Sequence, residues 1–391
     1  MNRALLAALL AACAGETPSS PDGPRAVDAL LGTDARQGTP DARTAAPDAR
    51  AGTPDGGRGP AALVHFIGRF DMTDPNAPRF AWSGSTVMAR FTGTGVSVRL
   101  ADAGANQFAI YVDGVVASKV MKTSGDQSYP LATGLAAGTH DIAIVKRTEA
   151  FQGDVTFKGL TPTGGALVTT PEPFGRMIEV IGDSITAGYG DEGAGPNCGF
   201  TPDTENEDVA YPALTARALG AGYDAPAWSG IGMYRSNSGG TTDQMPTLYL
   251  RTLPDQPTST VDFAREPPDV IVVNLGTNDF AQGDPGQPFV DAYVAFLATL
   301  RAHHPGVPIL ATVSPMMDGT SRTQEAAHID AAVKARHDSG DALVTSLAQS
   351  MVFATQDGSS DGLGCDYHPS RATHAKMATA LTAAIKAAKG W

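Results

Sequence analysis

Through residues 61–165, apolar and polar positions alternate in short runs broken by glycine. The stretches 87–91, 96–100, 108–112 and 140–146 each carry such a run, and Asp113-Gly114 supplies a turn after the third. A period of two with no helical period predicts a small antiparallel β-sandwich over 61–170, closed by the Pro-rich segment 161–174. Beyond it the pattern changes. Continuous apolar runs at 177–181, 269–275 and 308–313 read as buried strands, with a further strand at 224–228. Helical periodicity appears near 211–220, 287–303, 322–337 and 371–388. Strands alternating with helices predict an α/β domain over 171–391, its parallel sheet covered on both faces. In such sheets ligands bind beyond the carboxyl ends of the strands, so the residues just after each strand are the candidates for chemistry.

The chain opens differently. Arg3 precedes the apolar run 4–12, which ends in Leu10-Ala11-Ala12-Cys13. A charged start and a short apolar stretch ending in small residues predict a signal peptide over 1–13, too short to span a bilayer. Its ending resembles the bacterial lipobox, which implies lipidation at Cys13; the alternative is ordinary cleavage with Cys13 discarded. Residues 14–60 are dominated by Pro, Asp, Ala, Gly, Thr and Arg, with near-repeats such as Pro40-Asp41-Ala42-Arg43 and Pro47-Asp48-Ala49-Arg50. So little apolar surface cannot offset the entropy of ordering, which predicts a disordered tether. Cys198 and Cys365 remain as an even pair in an exported chain, which favours a disulfide over two free thiols.

At 391 residues the chain has room for two domains of ordinary size. The net charge of -13, from 28 basic and 41 acidic side chains, argues against nucleic acid or anionic lipid headgroups as partners. No histidine or cysteine spacing suggests a metal, and no phosphate-binding glycine loop is present, so neither a metal nor a cofactor is expected. His303, His304, His328 and His337 read as surface residues and His374 as structural.

Four strand ends carry the candidate chemistry. The first strand runs into Gly182-Asp183-Ser184-Ile185-Thr186, a tight turn that exposes a serine at a helix N-terminus, where developing negative charge is stabilised. The second is followed by Ser229-Gly230-Ile231-Gly232, where glycine lets a backbone N–H approach a ligand closely. The third ends in Gly276-Thr277-Asn278-Asp279, whose Asn278 amide can donate to an oxyanion. Before the last helix lies Gly364-Cys365-Asp366-Tyr367-His368-Pro369-Ser370, a loop with a candidate base at His368 and a helix cap at Ser370.

Taken in order, Ser, Gly, Asn and His resemble the four blocks of the SGNH (GDSL-type) hydrolase superfamily across 177–391. The resemblance implies a three-layer α/β/α fold with Ser184 as nucleophile and His368 as general base. It further implies an oxyanion hole of the Ser184 and Gly230 N–H groups and the Asn278 side chain. One position departs: the superfamily has Asp three residues before the histidine, where this chain has Cys365. Asp366, two residues before, is expected to orient His368 instead, with a backbone carbonyl as the alternative.

A narrower resemblance covers 64–391. Ile67-Gly68-Arg69-Phe70, the serine block, Glu205-Asn206 ahead of Tyr211-Pro212, and the Cys365–His368 loop are similar to carbohydrate esterase family 2. That resemblance implies a jelly-roll domain fused to the hydrolase, removal of O-acetyl groups from polysaccharides such as xylan or glucomannan, and an aromatic residue packed on the sugar. Tyr367 and Tyr234 are the candidates for that aromatic. The expectation is thus a secreted or lipid-anchored serine esterase acting on acetylated polysaccharide. Two rivals are an esterase for lipids or small esters on the same fold, and an inactive carbohydrate-binding lipoprotein.

Overall fold

The computed structural model describes residues 62–349 and 352–391. The expected signal peptide, the lipidation at Cys13 and the tether over 14–60 lie outside the described residues.

Two antiparallel sheets form the first domain. One has seven strands, its central path running His65–Ile67, Thr86–Gly93, Gly138–Lys146, Gln107–Val112 and Val115–Val116. The other orders Arg79–Phe80, Val155–Thr163, Gly95–Asp102 and Gly125–Ala132. Val87, Ala89, Phe91 and Ile110 from the first meet Val98, Leu100 and Phe157 from the second in one apolar core. The segment 161–174 differs from expectation, because Thr161–Thr163 still pair with Gly95–Ser97. Pro162 is accommodated there because the Arg79–Phe80 strand reaches only Val155 and Thr156, so no ladder partner needs its missing N–H.

The alternate positions of the larger sheet are apolar too. Met88, Ala109, Tyr111, Ala143 and Val145 pack with Phe174 and Met177, where the second domain begins. The larger of these side chains, such as Met88, Val145, Phe174 and Met177, contribute about 1.5–3 kcal/mol each when fully buried, so the sheet is covered on both faces and holds the two domains together.

The second domain is a five-stranded parallel sheet in the order Gly222–Asp224, Met177–Gly182, Val270–Asn274, Ile309–Ala311, Val344–Ser346. On one face Ile181, Ile271, Val273 and Ile309 pack against helices Gln287–His303 and Gly319–Asp338. On the other, Ile178, Val180, Val270 and Val272 meet Tyr211–Leu219 and Arg371–Lys389. The result is the expected three-layer α/β/α arrangement. The strand read at 224–228 is displaced to Gly222–Asp224. Pro226 interrupts the ladder, which resumes only as a bridge between Gly182 and Ala227. His304, read as surface, is buried and bonded to the Tyr249 hydroxyl at 2.9 Å; burial lowers its pKa to about 4.

Candidate active site

Ser184 opens a one-turn helix directly after the strand Met177–Gly182. The Asp183 carboxylate caps that turn by accepting the Ile185 N–H at 3.1 Å. Gly182 has no room for a side chain, since a Cβ there would lie 1.9 Å from the Thr186 hydroxyl. The tight turn thus depends on glycine at this position.

His368 reaches Ser184 from the far end of the chain. The serine hydroxyl donates to His368 Nε2 at 2.8 Å. On the other side of the ring, Nδ1 lies 3.2 Å from the carbonyl oxygens of both Cys365 and Asp366. Donation from Nδ1 to these carbonyls fixes the tautomer that leaves Nε2 free to accept. Burial pushes the His368 pKa below its ordinary value, partly opposed by the two carbonyls, so the ring is a neutral base near pH 7.

The expected role of Asp366 is corrected here. Its carboxylate accepts from the Tyr189 hydroxyl at 2.7 Å, and only its main-chain carbonyl meets the imidazole. The reason is the backbone: Asp366 and Tyr367 are both left-handed, with φ of 51° and 63°. That conformation aims two successive carbonyls at Nδ1 and turns the acid outward, at a cost of about 1–3 kcal/mol per residue.

The surroundings hold the strained loop. Cys365 is disulfide-bonded to Cys198, with Cα atoms 4.7 Å apart. The Cys365 N–H donates to Gly190 O at 2.9 Å and the Asp366 N–H to Cys198 O at 3.0 Å. Gly193 must be glycine, because a Cβ there would sit 2.3 Å from Cys365 Sγ. Tyr189 stacks on the His368 ring with centroids 4.3 Å apart. Sequence reasoning missed Tyr189, although it lies only five residues after Ser184 in the same glycine-rich block.

The three candidate oxyanion donors are linked. Asn278 Nδ2 donates to Asp183 at 3.2 Å and to Ile231 O at 2.9 Å, tying the third strand end to both the serine turn and the Gly230 turn. Among the described residues the N–H groups of Ser184 and Gly230 donate to no other group. Asp279, beside Asn278, was also missed. Its buried carboxylate accepts from the N–H groups of Met233, Tyr234 and Arg235 at 2.7–2.9 Å and so anchors the loop after Gly230. The two tyrosines proposed for sugar contact part company. Tyr367 is 58% exposed beside His368, whereas Tyr234 is half-buried against the helical core. Phe200 and Phe151 continue from Tyr189 as an aromatic row, centroids 5.0 and 5.3 Å apart, Phe151 coming from the sandwich.

A serine donating to an imidazole whose far nitrogen is held, with amide donors on neighbouring strand ends of a parallel sheet, defines a serine hydrolase of the SGNH class. Residues 180–376 match the GDSL-like lipase/acylhydrolase family and residues 66–171 the carbohydrate esterase 2 N-terminal family. The chain belongs to carbohydrate esterase family 2.

It is 40% identical over 329 residues to the cellulase/esterase CelE of Acetivibrio thermocellus, covering 84% of this chain but only 40% of that protein's length. It is 28% identical to an acetylxylan esterase / glucomannan deacetylase of Cellvibrio japonicus, covering 84% of this chain and 89% of that one. The structure of a family two carbohydrate esterase from Clostridium thermocellum in complex with cellohexaose has a TM-score of 0.79 at 40% identity, covering 84% of this chain and 99% of that one.

Proposed function

We propose that this protein removes O-acetyl groups from a polysaccharide of the acetylated xylan or glucomannan type. The observation that carries the reading is the 2.8 Å hydrogen bond from Ser184 to His368 Nε2. Ser184 Oγ attacks the acetyl carbonyl as His368 Nε2 takes its proton. The oxyanion forms against the Ser184 and Gly230 N–H groups and the Asn278 amide, which keeps its bond to Ile231 O and turns the N–H it gives Asp183 toward the oxyanion. His368 then gives its proton to the sugar's ester oxygen as the acyl C–O bond breaks, and the sugar leaves with a free hydroxyl. Water, deprotonated by the same nitrogen, releases acetate from Ser184. The carbonyls of Cys365 and Asp366 keep the imidazole aligned and share the charge it acquires, so the base is completed by main chain. The names of the Cellvibrio japonicus relative and the cellohexaose on the Clostridium thermocellum structure support a sugar chain as the substrate. Export with a lipid anchor at Cys13 is part of the same reading; Cys13→Ala is expected to release the enzyme from the envelope fraction.

Acetate release from acetylated xylan and glucomannan, set beside hydrolysis of long-chain esters, tests the substrate class. Ser184→Ala is expected to lower turnover by at least about a thousandfold with an unchanged fold, because only the oxyanion donors remain. Faster hydrolysis of the long-chain esters than of the acetylated glycans would overturn the carbohydrate reading.

A further inference from the structure

One buried acid from the sandwich reaches the oxyanion turn and is not used by the mechanism above. Glu149 follows the long strand Gly138–Lys146 and is fully buried. Its carboxylate accepts the Ser229 N–H at 2.6 Å and also the Ser229 hydroxyl. Ser229 immediately precedes Gly230. A second buried acid, Glu205, comes from the hydrolase domain, and its Oε2 accepts the Glu149 N–H at 3.0 Å. The other oxygen, Glu205 Oε1, is buried without a partner. The two carboxyl groups are also in hydrogen-bonding contact out of water, where a shared proton removes their repulsion, so one proton resides on the pair. A proton on Glu205 Oε1, donated to Glu149, satisfies the orphan atom and leaves Glu149 the anion that grips Ser229.

We propose that Glu149 is a positioning residue for ester hydrolysis: with a proton shared from Glu205, it holds Ser229 so that the Gly230 N–H points at the oxyanion. The inference rests on the esterase reading above and gives the sandwich a direct part in it. Burial raises the pKa of both acids, and their contact raises that of Glu205 further while lowering that of Glu149, which places the proton on Glu205. The other charged groups facing the pair are accounted for. Lys146 donates to the carbonyls of Thr148 and Glu149, and burial lowers its pKa to about 8. Arg147 donates to Glu192 and to the Glu205 carbonyl. Asp102 and Asp154 act on Lys146 together with the pair, and Asp183 and Tyr189 feel the Glu149 charge.

The test measures kcat and KM for 4-nitrophenyl acetate from pH 6 to 10 in the full chain, with Ser184 reactivity read by fluorophosphonate labelling. Loss of an oxyanion donor costs about 10²–10³ in kcat, and a displaced donor costs less. Glu149→Gln is therefore expected to lower kcat about thirtyfold across the range, with KM changed less than threefold. Wild type is expected to lose kcat reversibly at alkaline pH, as the shared proton leaves and the two acids repel. Glu205→Gln, whose amide donates permanently, is expected to remove that limb. Should Glu149→Gln fail to fold, Ser229→Ala takes its place, with an expected loss of about fivefold in kcat alone. A folded Glu149→Gln (or, in its place, Ser229→Ala) with kcat near wild type, or with the loss confined to KM, overturns the inference. So does an alkaline limb that survives Glu205→Gln, since it then belongs to Lys146. A wild type that neither labels nor turns over any ester removes the esterase reading itself, a different and separable failure.

Discussion

The imidazole of His368 sits between a serine and two carbonyls, with an acid nearby that points away. In many serine hydrolases a carboxylate behind the histidine is worth several orders of magnitude. Here the Asp366 carboxylate is spent on Tyr189, and its charge reaches His368 only through space. Asp366→Asn should therefore cost less than about tenfold in kcat, the scale of a peripheral hydrogen bond, while His368→Ala should be inactive. The sign of a second effect follows from the same geometry. The neutral ring is the active form, and burial, the largest cause, already holds its pKa below 6.5. The acid limb of kcat/KM should accordingly lie below pH 6.5. Since the Asp366 charge raises the His368 pKa, Asp366→Asn should move that limb further toward acid. A thousandfold loss would show that the carboxylate turns inward during catalysis, and a limb displaced toward neutral pH would contradict the through-space action of its charge.

Two loops, far apart in the chain, make the site, and the disulfide joins them. Cys198 and Cys365 are separated by 167 residues, and chain-entropy reasoning assigns closure of such a loop about 5 kcal/mol. The bond also ties the left-handed pair at 366 and 367 to the glycine loop after Ser184. Reduction, or Cys198→Ser with Cys365→Ser, should lower Tm by on the order of 10 °C and lower kcat as well, because the carbonyls behind His368 lose their brace. An unchanged Tm with both thiols titrated free would dismiss this.

Element by element, much of this was legible in the chain. Ser184, Asn278 and the Gly230 turn stand directly after apolar strands, and His368 before a capped helix, all signals written locally. The bond between Cys198 and Cys365 was read from the expectation of export and from cysteine parity. What stayed hidden depends on conformation or distance. The direction of Asp366 is set by two positive φ angles that its residue type does not demand. Glu149 meets Ser229 across 80 residues and a domain boundary, and the short strand Val344–Ser346, with a single fully buried apolar residue, carries almost no pattern.

For the whole molecule, buried titratable groups set the pH range of stability. Asp183 is almost wholly buried and its pKa is raised to about 7, chiefly by desolvation. A carboxyl whose folded pKa is raised contributes stability that is full below its unfolded pKa of about 4 and is lost as pH rises through 7. His374 works from the other end. It accepts the Tyr211 N–H at 3.2 Å, and burial lowers its pKa to about 3. Its contribution is full above pH 6.5 and is lost as pH falls toward 3. Thermal unfolding followed from pH 3 to 9 should show Tm highest between about pH 4 and 6.5, where the two opposite slopes cancel, falling below that range as His374 is protonated and above it as Asp183 ionises. Asp183→Asn should flatten the alkaline decline. A Tm that keeps rising to pH 9 would contradict the assignment of a buried, proton-holding Asp183.

The larger sheet of the sandwich, apolar on both faces, has a consequence for inheritance. A sugar-binding module hung on a linker can be gained, lost or swapped between enzymes without harm to its neighbour. This sandwich cannot, because its outer face, built on Met88, Tyr111 and Val145, is closed by Phe174 and Met177 of the next domain, with Asp208 and Arg217 on the Tyr111 hydroxyl. A gene rearrangement that separated the halves would leave each with an unclosed apolar surface. The two parts must therefore diverge together, and substitutions at 88, 111 or 145 should be traceable in lineages through matching changes at 174 and 177.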